Sequence, residues 1–61
     1  MPLIHVEMWP GRTTAQKKQL AKAITDAMVS IAKTTPEATI VIFDDVPKEN
    51  WAQGGVLSSE T

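Results

Sequence analysis

This sequence predicts an α+β fold: a β-α-β unit with two parallel strands, one long helix and a short C-terminal hairpin or strand. Three observations carry that reading. Residues 3–9 alternate in polarity, residues 14–33 show an apolar period of three and four behind a helix-start signal, and residues 39–46 form a second apolar run. Strand, helix and strand in that order make a crossover, which sets the two strands parallel and is right-handed.

The first strand is Leu3-Ile-His-Val-Glu-Met-Trp9. Ile4, Val6 and Met8 fall on one face, His5 and Glu7 on the other, with Leu3 and Trp9 at the ends of that second face. Pro10-Gly11 breaks the strand. Thr13 can cap a helix, and Gln16 three residues on can complete a capping box. Leu20, Ile24, Ala27, Met28 and Ile31 then make one apolar stripe, while Lys17, Lys18, Lys22 and Asp26 belong mostly to the wet side. The helix extends to about Lys33, which makes it about 30 Å long. Thr34, Thr35 and Pro36 end it, because Pro36 disfavours helical geometry at the residue before it.

The second strand is Thr39 to Val46. Ile40 and Ile42 face one way, Val41 and Phe43 the other, so both faces are apolar and both need cover. One helix covers only one face of a two-stranded sheet. A second copy of the chain is the natural cover for the other. In the tail, Gly54-Gly55 followed by Val56-Leu57 reads as a turn and a short strand or hairpin over about 50–58, able to pair with a neighbouring subunit.

Composition agrees with assembly. The chain has 61 residues, one His and no Cys. A domain this small buries a modest share of its surface and usually needs a staple. Without Cys, disulfides and thiolate metal sites are ruled out, and a lone His makes a poor zinc site; other subunits are the staple that remains. Six Lys and Arg against seven Asp and Glu leave a net charge of -1, which offers no basic stripe for nucleic acid. No apolar run approaches the roughly 18 residues of a membrane span, and the N-terminus lacks the basic and long apolar regions of a signal peptide. The expectation is one domain over 1–61, cytoplasmic, with neither nucleic acid nor membrane as partner.

Several features then stand in order along the chain: Met1-Pro2 before a strand, Gly11-Arg12 just ahead of a Thr-rich cap and Gln16-Lys17, and Asn50-Trp51 shortly before Gly54-Gly55. In this order and spacing, without gaps, the whole chain resembles the 4-oxalocrotonate tautomerase family. The resemblance implies a homo-oligomer, a hexamer built as a trimer of dimers. It also implies keto-enol tautomerisation of a small carboxylate substrate, a 2-hydroxydienoate, with no cofactor and no metal.

On that resemblance Pro2 is the catalytic residue. Removal of Met1 would leave a secondary amine, and a model α-amino group has a pKa near roughly 7.7–8.0. An apolar pocket and a nearby cation both lower it, giving a base near neutral pH that can move a proton from an enol hydroxyl to C3 or C5. If Met1 stays attached, Pro2 is an amide and has no basic lone pair. Arg12, the one Arg beside five Lys, would bind the substrate carboxylate bidentately, and the preceding Gly11 would permit close backbone approach. A strand from 2 to 9 spans about 25 Å, so Pro2 and Arg12 of one chain need not meet: the site is completed by a returning loop or across a subunit boundary, where Arg12 would serve a neighbour's Pro2. Trp51 stands where the family has an aromatic wall, usually Phe, and is the second substrate-binding candidate; packing at a subunit interface is compatible with that role.

One position departs from the family. Its best-known members have a second Arg in the strand after the helix, and here that position is Ile40. The departure favours a monoacid enol over a diacid, and leaves Lys33 or Lys48 of another chain as the cations able to compensate. It also keeps open a non-catalytic oligomeric scaffold of the same fold, beside a promiscuous hydratase or dehalogenase. His5 reads as a structural or surface residue. Asp44 and Asp45, adjacent on a strand, point to opposite faces and form no dyad.

Overall fold

The computed structural model describes residues 1–60. Strand β1 is Leu3–Met8, helix α1 Thr14–Ala32 and strand β2 Ile40–Asp45; a hairpin of β3 (Ala52–Gln53) and β4 (Val56–Leu57) follows, flanked by one-turn 3-10 helices at Lys48–Asn50 and Ser58–Glu60. β1 and β2 pair in parallel from Leu3 opposite Ile40 to Met8 opposite Asp45. Backbone bonds continue the ladder at both ends: Ile40 N–H donates to the Pro2 carbonyl at 3.0 Å, and Val46 N–H to the Met8 carbonyl at 2.8 Å.

The start of α1 follows from two side chains. Thr13 Oγ1 accepts from the Gln16 N–H at 3.1 Å, and Gln16 Oε1 accepts from the Thr13 N–H at 2.9 Å. Two of the four otherwise unpaired donors at the helix start are thereby satisfied. The end falls where the sequence predicts, at about Lys33, but by a different device. It is Lys33, at φ 61° and ψ 33°, that closes the helix in the left-handed region, a conformation glycine takes most readily. Thr34 and Pro36 lie beyond the helix, in a connection held by Thr39 Oγ1 donating to the Thr35 carbonyl at 2.8 Å.

The helix presents a different stripe from the expected one. Its half-buried positions are Lys17, Ala21, Ile24, Thr25, Met28 and Val29, while Leu20, Ala27 and Ile31 remain exposed, Ile31 at 80%. The apolar arc is wider than the cover available. Two strands lie about 4.8 Å apart beneath a helix about 10 Å across, so part of the arc has nothing of its own chain to meet. Lys17 also leaves the wet side: its ammonium reaches Asp45 Oδ2 at 2.6 Å across the helix–sheet junction.

The sheet has a covered face and an open one. Ile4, Val6, Met8, Val41 and Phe43 are half-buried, while Leu3, His5, Glu7, Ile40, Ile42 and Asp44 alternate with them and are exposed. Among the described residues none is fully buried. The molecule is only 14 Å thick against a length of 42 Å. Two layers that leave Leu3, Ile40 and Ile42 uncovered on one sheet face make half of a core, and closing it takes another protein surface. In the tail, Ala52 pairs with Leu57 and Gln53 with Val56. The two intervening glycines adopt φ 61° and 83°, the two positive values that a type I′ hairpin turn demands.

Candidate functional site

The register separates the two halves of the candidate site. Pro2 stands one residue before β1, at the Leu3–Ile40 end of the sheet, with its carbonyl tied to the Ile40 N–H at 3.0 Å. It is half-buried, whereas Met1 projects freely at 91% exposure. Arg12 follows the opposite end, past Met8. The six residues of β1 put about 20 Å between those ends, so Pro2 and Arg12 of one chain do not meet. Among the described residues the single chain has no pocket.

Arg12 is exposed, and its guanidinium makes no hydrogen bond or ion pair within the chain among the described residues. All five of its donors are therefore available to a ligand. Gly11 is required by its φ of 126°, which L side chains avoid.

Trp51 belongs to the Arg12 end. Its backbone is fixed on both sides: its N–H donates to the Lys48 carbonyl at 3.2 Å, and its carbonyl accepts from the Ser58 N–H at 2.8 Å. Its ring meets Trp9 edge-to-face, with centroids 6.0 Å apart and planes at 73°, a favoured aromatic geometry. The Lys48 ammonium lies over the Trp9 ring, 4.7 Å from its centroid. Trp9 and Lys48 thus join the wall that sequence reasoning assigned to Trp51 alone. The signal that could have located them is the strand pairing. With Met8 opposite Asp45, the segments leaving the two strands start side by side, and each carries one of the chain's two Trp residues.

Ile40 sits beside Pro2 with its side chain on the open face, alongside Leu3; they are 36% and 57% exposed. Both of these side chains are apolar, so neither contributes a cation. His5 Nε2 lies 3.8 Å from Asp44 Oδ2 on the same face, while Asp45 turns to Lys17 on the covered side. The two aspartates therefore do diverge. Among the described residues, no group of three or more His, Asp or Glu side chains is placed to hold a metal ion, and no helix is long and apolar enough to cross a membrane.

Comparison with known proteins places this geometry. A family model described as tautomerase enzyme matches residues 2–61. A probable tautomerase of Lactococcus lactis is 40% identical over 60 residues, covering 98% of each chain. A 2-hydroxymuconate tautomerase of Pseudomonas putida is 39% identical over 61 residues, covering 98% of this chain and 95% of the relative. Among solved structures, TomN, a 4-oxalocrotonate tautomerase homologue of the tomaymycin biosynthetic pathway, superposes with a TM-score of 0.91 at 36% identity, covering 97% of this chain and 91% of that one. A heterohexameric 4-oxalocrotonate tautomerase of Chloroflexus aurantiacus superposes with a TM-score of 0.89 at 32% identity, covering 98% and 97%. With the parallel β-α-β unit and C-terminal hairpin already described, these matches mean that the chain belongs to the 4-oxalocrotonate tautomerase family of the tautomerase superfamily.

Proposed function

We propose that the chain is a cofactor-independent tautomerase that interconverts the enol and keto forms of a 2-hydroxydienoate-type acid, with the Pro2 amine as general base after removal of Met1. The observation that carries this reading is the setting of Pro2. Its carbonyl is held by β2 at 3.0 Å while Met1 projects into solvent. Trimming Met1 would therefore expose a nitrogen whose position is already set by the sheet, and whose ring allows little motion.

The chemistry balances within the substrate. Pro2 N takes the proton of the 2-hydroxyl, the C2–O bond becomes a carbonyl, and the double bonds shift. The proton then returns to C3 or C5, so no atom is gained or lost. Leu3 and Ile40 next to Pro2 favour the neutral amine, because an apolar setting penalises the charged form. Arg12 of a neighbouring copy holds the carboxylate beside the reacting carbon, and Trp51 supplies the wall. The assembly we propose is a homo-oligomer, a hexamer arranged as a trimer of dimers; two observations support association of copies: Leu3, Ile40 and Ile42 left exposed on one sheet face, and the roughly 20 Å between the Pro2 and Arg12 ends of one chain. The heterohexameric Chloroflexus relative supports the count of six subunits.

The test combines intact mass with ultraviolet decay of 2-hydroxymuconate and 2-hydroxypenta-2,4-dienoate on the same sample. A chain lacking Met1 should consume at least one enol far faster than buffer. Pro2→Ala should lose that activity while keeping its assembly. A sample with free Pro2 that leaves both enols at the buffer rate would sink the proposal in favour of a non-catalytic scaffold of the same fold.

A further inference from the structure

We propose that Lys48, positioned by Trp9, is the site's second cation and binds the distal carboxylate of a dicarboxylic substrate. This rests on the tautomerase reading, and it concerns a residue outside the Pro2, Arg12 and Trp51 set. Ile40 contributes no charge, so a substrate with a carboxylate at each end needs a cation from elsewhere. Two of the five lysines are already engaged: Lys17 with Asp45 at 2.6 Å and Lys22 with Asp26 at 2.9 Å. Lys33 closes α1 at the Pro2 end of the sheet, and among the described residues no aromatic ring or carboxylate fixes its ammonium. Lys18 lies on α1 without a contact to either Trp ring. Lys48 is the lysine tied to the aromatic wall, 4.7 Å above Trp9, which in turn meets Trp51.

Reach and shape agree. Trp9 precedes Arg12 by three residues, so their Cα atoms lie within about 11 Å. Arg12 and Lys48 are therefore two cations at the same end of the sheet as the aromatic pair. The rings at 73° form an angled apolar surface for a flat conjugated chain. Attraction to the ring face orients the ammonium but leaves donors free for a carboxylate. Trp9 acts through Lys48 and is a positioning residue.

The experiment uses the assembled, Met1-free protein. Turnover of 2-hydroxymuconate, a diacid, is compared with that of 2-hydroxypenta-2,4-dienoate, a monoacid. Calorimetric binding of the unreactive pair muconate and sorbate is measured on the same variants. Lys48→Gln should raise KM for the diacid about tenfold, the low end for a hydrogen bond to a charged group, and leave the monoacid within about twofold. Trp9→Leu should reproduce the selective loss, and Trp9→Phe should restore most of it, because Phe keeps a ring face. Lys18→Gln and Lys33→Gln should leave the ratio unchanged. Equal effects of Lys48→Gln on both acids, no effect on either, or the same selective loss in Lys18→Gln or Lys33→Gln would overturn the assignment. If the wild type turns over neither enol, the tautomerase reading fails separately. The muconate-to-sorbate binding ratio then decides the role of Lys48 without any turnover.

Discussion

Placing a carboxylate at Ile42 tests whether the open sheet face is the assembly surface. Ile42 is 44% exposed in the single chain. Full burial of an isoleucine side chain is worth about 1.5–3 kcal/mol, so covering the remainder contributes about 1 kcal/mol at each copy. Ile42→Asp removes that gain and adds the desolvation of a charge, several kcal/mol per ion when buried. Asp44 lies two residues along on the same face, so the new charge also faces a like charge. Even about 2 kcal/mol per copy is a factor of about 30 in the association constant. A two-fold contact counts it twice, for about a thousandfold in all. Sedimentation velocity at one fixed protomer concentration is the assay, with Lys18→Gln as control and circular dichroism to confirm the helix. The wild type should sediment as an oligomer and Ile42→Asp as a smaller species. Because Pro2 and Arg12 of one chain stand at opposite ends of the sheet, the smaller species should also be inactive. A wild-type monomer, or an Ile42→Asp variant with the wild-type mass and concentration dependence, would refute the reasoning.

Further predictions concern α1 and the substrate. Thr13→Ala breaks the capping box and should cost about 1 kcal/mol in urea unfolding compared at equal protomer concentration, since an oligomer's stability depends on it. Lys33→Gly relieves a left-handed residue at φ 61° and should raise stability by about 0.5–1 kcal/mol in the same measurement. Arg12→Ala should lower kcat/KM about 10- to 100-fold for both enols, as expected for a lost charge-assisted hydrogen-bonded pair. Its circular-dichroism spectrum should be unchanged, since Arg12 has no partner within the chain among the described residues.

Local chemistry determined much of this molecule. Alternation at residues 3–9, the Thr13–Gln16 box and Gly54-Gly55 each specify a short-range geometry: a half-buried strand, a helix start and a type I′ turn. The two-faced second strand announced that one helix is too little cover, and Ile40 and Ile42 are indeed exposed. Pro2, Arg12 and Trp51 are proposed as a set from the family's spacing, and the register puts Pro2 at one end of the sheet and Arg12 at the other. Tertiary structure decided what depends on pairing and width. The stop at Lys33 is a left-handed turn without a glycine to signal it. The choice of Ala21, Thr25 and Val29 over Leu20, Ala27 and Ile31 as the covered stripe follows from how a narrow two-stranded sheet meets a wide apolar arc. The Lys48–Trp9–Trp51 cluster joins residues some forty positions apart. Only the parallel register, with Met8 opposite Asp45, brings the ends of the two strands together, and no local periodicity encodes which strand ends lie side by side.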